Sequence, residues 1–258
     1  MNEYSKSWDY SAHASFYKFR PNYAERAMDV LVQYVRTYVG KELLHVADLG
    51  AGTGNLTKML LERDCSVDAV EPCDAMRAIG EKATSGASNV RWISATGTMT
   101  TLADGDYDWV TWGSSFNVVD RLAGLRESYR LLKPGGFFSC LWNHRCLEDP
   151  IQEQVESIII KHVPHYNRGV RREDQRAFLM QHADLFDDLF YREIDFRFHQ
   201  TKEDYINGWK SVKNNFWDLQ TNEGMRLFNA IFEEVSRSLP DSFDVPYTTK
   251  AWTLRKVA

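Results

Sequence analysis

Three glycines at every second position, Gly50, Gly52 and Gly54, close the β-prone run Val46-Ala47-Asp48-Leu49, and a helical pattern, Leu56–Leu61, starts at once. Glycine takes positive φ without steric cost and lets the backbone approach a ligand closely. A strand that ends in such a turn and passes directly into a helix forms a binding crevice at the carboxyl edge of an open parallel sheet.

The surrounding sequence keeps the rhythm of that unit. Between residues 43 and 145 the β-rich runs Leu43–Leu49, Val67–Val70, Val90–Ile93, Tyr107–Trp112 and Phe137–Trp142 alternate with helical patterns, as in a parallel sheet with crossover helices. Leu122, Leu125, Tyr129 and Leu132 recur at helical spacing, and Pro134-Gly135-Gly136 stops that helix. Beyond Pro150 the rhythm changes. Ile151–Val163, Asp174–Leu189, Lys202–Val212 and Gly224–Leu239 read as helices. Ile194, Phe196 and Phe198 alternate with charged residues as a half-buried strand, and Tyr247–Arg255 reads as a closing strand. These late strands lack β-α-β spacing and are expected antiparallel at the edge of the first sheet. The expectation is a single α/β domain over 1–258: a Rossmann-like seven-stranded sheet, parallel with an antiparallel strand at the edge, and a helical cap over its carboxyl edge. N-terminal cap helices would occupy 1–40, a cofactor-binding core 41–145, a helical cap with an inserted strand 146–222, and the final helix and edge strand 223–258.

A chain of 258 residues, 43% hydrophobic and 26% charged, suffices for one α/β core. No apolar run approaches the ~20 residues that span a bilayer, and Met1–Tyr10 is polar, so a cytoplasmic protein without a membrane partner is expected. The net charge is −5 with signs interspersed, which speaks against a nucleic-acid partner. The densest basic stretch, Arg168, Arg171, Arg172 and Arg176, is diluted by Glu173 and Asp174 and reads as a solvated helix face. The four cysteines have neither CxxC nor zinc spacing, so no metal is expected, and Cys65 and Cys140 read as small buried hydrophobes.

Glu71 ends the next β-run, 21 residues after Gly50. An acid there can accept from both ribose hydroxyls of a nucleoside. A dinucleotide fingerprint, G-x-G-x-x-G, shares this outline, but here the third glycine comes one residue early and Asn55 stands where that fingerprint wants glycine. Asp48, two places before the first glycine, suits a ligand with an ammonium group and no phosphate. The combination fits S-adenosylmethionine better than NAD. An NAD(P)-dependent Rossmann oxidoreductase and a catalytically silent adenosylmethionine-binding protein are the alternatives.

On these residues the chain resembles class I S-adenosylmethionine-dependent methyltransferases, in particular the small-molecule branch of the ubiquinone/menaquinone C-methyltransferases and trans-aconitate methyltransferase. Val46–Asn55 resembles their first motif, Glu71-Pro72 their ribose-binding acid, and Asp106-Tyr107-Asp108-Trp109-Val110 their fourth strand. Leu131–Gly136 is similar to their turn into strand five, and Tyr17–Tyr23 to their Y-x-x-R-P segment. The resemblance implies transfer of the methyl group to an O, N or C nucleophile of a small-molecule acceptor, leaving S-adenosylhomocysteine. It implies that Gly50, Ala51, Gly52 and Asn55 form the methionine-side turn, supported by Asp48, with Tyr17 and Arg20 at the carboxylate. Glu71 would hold the ribose, Pro72 and Met76 would flank adenine, and Thr96-Gly97 would approach its amino group. Ser114, Ser115 and Asn117 follow strand four, where acceptors meet the methyl group in this fold. Relatives often carry Asp-Ala or Glu-Ala after strand three; here Ser94-Ala95-Thr96-Gly97 stands there, which favours backbone contacts to adenine.

At the end of strand five His144 is a weak candidate base, its alternative a hydrogen-bonded surface histidine, while Asn143 and Arg145 either contact an acceptor or cap loops. Aromatics cluster at Trp8, Tyr10, Phe16, Tyr17, Phe19 and Tyr23 and again at Tyr205, Trp209, Phe216 and Trp217. Most would fill core; Tyr10 and Trp209 are the choices for lining an acceptor pocket near the sulfonium.

Overall fold

A computed structural model describes residues 9–168 and 172–257; Trp8 and Arg171 lie outside these. Seven strands, β1 (His45–Leu49), β2 (Ser66–Val70), β3 (Val90–Ile93), β4 (Tyr107–Gly113), β5 (Leu132–Arg145), β6 (Phe186–Thr201) and β7 (Ser242–Lys256), form one sheet in the order β3-β2-β1-β4-β5-β7-β6. The first five are mutually parallel. β7 is antiparallel to β5 and β6 is antiparallel to β7, so the expected Rossmann-like sheet is present and its single reversed strand lies one place in from the edge.

The central strands are buried almost continuously, and their side chains alternate in direction to feed two apolar layers. On one face α1 (Glu25–Val39) sets Met28, Leu31 and Val35 against Val46, Trp109 and Leu141, together with Leu56 and Leu60 of α2 (Asn55–Leu61). On the other, Trp112, Phe138 and Trp252 pack with Leu125 of α4 (Arg121–Leu131). α3 (Asp74–Ala83) crosses from β2 to β3. A third cluster is built by α5 (Pro150–His162), α7 (Lys202–Lys210) and α8 (Asn222–Ser238) on the first half of β7, with Val155, Tyr205, Trp209, Phe228, Phe232 and Tyr247 buried together. That cluster carries the cap. Among the described residues no helix is long and apolar enough to cross a membrane.

One element differs from expectation. Only Arg176–Met180 (α6) of the 174–189 stretch is helical, and β6 already begins at Phe186. Phe186 and Asp187 pair with Lys256 and Arg255 of β7, and a bulge before Phe190 places Asp188 at φ 53°. Aspartate is a weak helix former that tolerates this conformation, and pairing with a long neighbour strand outweighs local helical spacing. At Ile194, Phe196 and Phe198 the expected half-buried alternation is present.

Candidate active site

The carboxyl ends of β2, β1, β4 and β5, with the amino-terminal half of the reversed β7, open into a cavity of about 270 Å³ roofed by residues 10–23 and 208–213. Its floor is the glycine turn. Gly50, Gly52 and Gly54 have φ of 69°, 60° and 81°, the left-handed region that side chains avoid. The amides of Gly50 and Ala51 both donate to Val70 O, at 2.9 and 3.0 Å, which fixes the turn to β2. A Cβ on Gly50 would lie 2.5 Å from that of Ser115, so space as well as φ requires glycine there.

Two buried carboxylates frame the turn. Asp48 is fully buried on β1; its oxygens accept from Thr57 Oγ1 at 2.7 Å and Thr111 Oγ1 at 3.0 Å. No cation pairs with it among the described residues, and burial pushes its carboxyl up to about 6 despite the two hydroxyls. Glu71, 7% exposed, accepts from Gly52 N at 2.9 Å and Cys73 N at 2.8 Å. Burial raises its carboxyl above the ordinary range, opposed by those two amides. Each of its oxygens keeps a further lone pair, so the side chain can staple the turn and still accept from a ligand.

The roof and walls follow from longer contacts. Arg20 donates from Nε to Ser211 Oγ at 2.7 Å and lies 4.2 Å from the centroid of the Tyr17 ring. Ser114 sits at φ 59° with its hydroxyl 2.9 Å from Tyr23 Oη, and Ser115 Oγ donates to Leu49 O at 2.7 Å, tying β4 to the end of β1. Strain at the end of β4 is consistent with a working position. Asn117 accepts from Trp142 Nε1 at 2.9 Å. Asn143 donates to Asn22 O and accepts from Thr249 Oγ1, so it anchors the N-terminal segment as well as facing the cavity.

Of the residues singled out from sequence, all but Thr96 line this one cavity. Thr96 lies just outside it, with its hydroxyl toward Thr98, while Gly97 reaches the wall. Tyr10 packs beside Tyr17, Cys73 and Met76, on the Glu71 side rather than the β5 side. Trp209 is fully buried on the β5–β7 side, and buried His144 contributes to the wall. Arg168, expected on a solvated face, instead turns inward, whereas Arg172 and Arg176 are exposed as expected. Arg168 pairs with Glu156, its side chain 12% exposed, and Arg168 and Arg172 both line the cavity. Sequence reasoning misses Tyr247, which lies opposite Arg145 across the β5–β7 ladder and accepts through its hydroxyl from Arg145 Nε at 2.9 Å. The one sequence signal for Tyr247 is its place at the start of a closing strand.

Residues 47–140, which contain the glycine turn, Glu71 and the end of β4, match the family model of a methyltransferase domain. This stretch is similar to a methyltransferase domain. Over 110 residues the chain is 33% identical to the ubiquinone/menaquinone biosynthesis C-methyltransferase UbiE of Rubrivivax gelatinosus, covering 42% of this chain and 43% of that one. The chain spans about half the length, or less, of the curated relatives it matches. Among solved structures, a protein of Anaeromyxobacter dehalogenans described as a type II methyltransferase shares the fold at a TM-score of 0.60 and 15% identity, covering 92% of this chain and 97% of that one. The Haemonchus contortus phosphoethanolamine N-methyltransferase 2, solved with S-adenosylhomocysteine, shares it at 0.50 and 14% identity, over 89% of this chain and 53% of that one.

Proposed function

We propose that the chain binds S-adenosylmethionine in the Gly50–Gly54 crevice and transfers its methyl group to an O, N or C nucleophile of a small molecule. One observation carries this reading: two buried carboxylates, one without a cationic partner, flank a turn that admits no Cβ at Gly50. That arrangement suits a cationic nucleoside and offers nothing to a pyrophosphate. When bound, the cofactor supplies an electrophilic methyl group on a sulfonium.

The protein supplies binding and alignment. Glu71 would take the ribose hydroxyls with the lone pairs its backbone donors leave, and Pro72, Met76 and the Gly97 backbone would enclose adenine. Arg20, braced by Ser211 and Tyr17, would meet the carboxylate. Ser114 and Ser115, Asn117, Asn143 and Trp209 would position the acceptor for in-line displacement, an alignment able to contribute on the order of 7–11 kcal/mol at the upper limit. His144 would accept a proton where the nucleophile carries one.

Glu71→Ala is expected to weaken S-adenosylhomocysteine binding by about 1.5–3 kcal/mol, read by calorimetry. Unaltered affinity would remove Glu71 from the site. A second expectation concerns pH. Asp48, held near 6 by burial, is largely protonated at pH 5 and ionised at pH 7. A cationic ligand favours the carboxylate, so binding expels the proton and affinity rises with pH, by roughly tenfold between pH 5 and 7. Asp48→Asn should flatten that profile. A wild-type affinity independent of pH across this window would refute the role of Asp48.

A further inference from the structure

We infer that the acceptor carries an oxyanion, a carboxylate or phosphate group, gripped by Arg145 with Arg172 on the β5–β7 side of the cavity. This deepens the proposal above and rests on it.

The sheet itself is a ruler. Across the cavity floor the strands run β2, β1, β4, β5, β7, bearing in turn Glu71, the glycine turn, Ser114, Arg145 and Tyr247. Adjacent strands lie about 4.8 Å apart, so the backbone of Arg145 stands roughly 10 Å from the turn and 14 Å from Glu71. A nucleoside seated at Glu71, with its amino-acid end over the turn, leaves Arg145 to whatever lies beyond the methyl group.

Arg145 lacks the partner that a half-buried guanidinium ordinarily has. Its Nε donates to Tyr247 Oη, and its remaining N–H groups meet no acceptor among the described residues. Its guanidinium carbon lies 4.3 Å from the ring centroid of Trp209 and 5.0 Å from that of Tyr205. No acid forms a salt bridge with it among the described residues, whereas neighbouring Arg168 is paired with Glu156. Arg172, exposed but lining the same cavity, adds a second cation without a salt bridge among the described residues; it donates from Nη1 to the Arg145 carbonyl at 3.2 Å, and Glu156 and Glu148 offset part of its charge. Burial, and then the charge of Arg168, lower the pKa of Arg172. A half-buried guanidinium without a salt bridge, with a second cation beside it, is costly next to a site for a cationic methyl donor unless an anion arrives there. Ring faces offset part of that cost and hold the fork flat. A planar fork with free paired N–H groups matches a carboxylate or phosphate edge. An amine acceptor would bring a third cation into the same space.

The test uses the full chain saturated with S-adenosylhomocysteine and titrated calorimetrically with four isosteric probes: benzoate, phenyl phosphate, benzyl alcohol and benzylamine. At least one anion should bind roughly tenfold or more tightly than the alcohol and the amine, and which anion wins identifies the oxyanion. Arg145→Gln should erase that preference while S-adenosylhomocysteine affinity stays at the wild-type value. Should that variant fail to fold, Arg145→Lys, which keeps the cation over Trp209 but not the fork, should lose most of the preference. Equal binding of neutral and anionic probes, tighter binding of the amine, no binding of either anion, or a preference that survives loss of the fork overturns the inference. Failure to bind S-adenosylhomocysteine is a separate result, and it overturns the proposed function instead.

Discussion

Gly50→Ala is expected to destabilise the fold by about 3 kcal/mol, a fall of roughly 6–10 °C in melting temperature by calorimetry, and to weaken S-adenosylhomocysteine binding only through the displacement of the turn that the strain forces. Two costs combine. A non-glycine residue at φ 69° is strained by about 1–3 kcal/mol, and the added carbon would sit 2.5 Å from Ser115 Cβ, an overpacking worth a similar amount. The turn cannot relieve the clash by swinging away, because the amides of residues 50 and 51 share Val70 O. Ser115 cannot easily yield either, since its hydroxyl is committed to Leu49 O. Gly105→Ala is the control: its φ is 61°, but nothing lies within 4 Å of the place a Cβ would take, so only the dihedral cost applies and binding should be untouched. A melting temperature within about 2 °C of wild type in Gly50→Ala would show that the turn adapts, against the packing argument.

Trp209→Ala should have the largest effect on stability. The side chain is fully buried and packs at 5.5 Å, centroid to centroid, on Phe232, with Trp217 at 6.4 Å. Removing such a ring costs about 3–5 kcal/mol. In a domain of this size that is a fall of roughly 10 °C in melting temperature by calorimetry. The loss also strips the aromatic surface under Arg145 and Arg168, so acceptor discrimination should suffer more than cofactor affinity. A drop of less than about 3 °C would mean that the cap cluster is not a cooperative part of the fold.

The legible half of the molecule is the half whose signals are local. Strand, glycine turn, helix and the acid of Glu71 all fall within 26 residues of one another, from Val46 to Glu71, and each dictates its neighbour's conformation. The turn and the acid beside it can therefore be read by spacing, while Tyr17, Arg20, Met76 and Gly97 join them only through the resemblance. The start of β6 escapes such reading because the pairing of Phe186 with Lys256 is invisible to any local window, whereas the leucines around it keep a helical interval. The acceptor wall is harder still. Arg145 and Tyr247 meet across 102 residues through the β5–β7 register. Arg168 turns inward because α5 presents Glu156 and α7 presents Trp209 to it. Composition correctly conveys that these arginines are charged and surrounded by acids; it cannot convey which way they face.

The link from Glu71 to the amides of Gly52 and Cys73 also has a kinetic consequence. Held by protein contacts alone, the crevice is a finished mould, and an incoming nucleoside need not freeze its backbone. The ordering cost of binding then falls on the aromatic roof around Tyr10, Tyr17 and Trp209. On the proposed function, the departure of spent cofactor is expected to follow how quickly those rings part rather than how the turn rearranges.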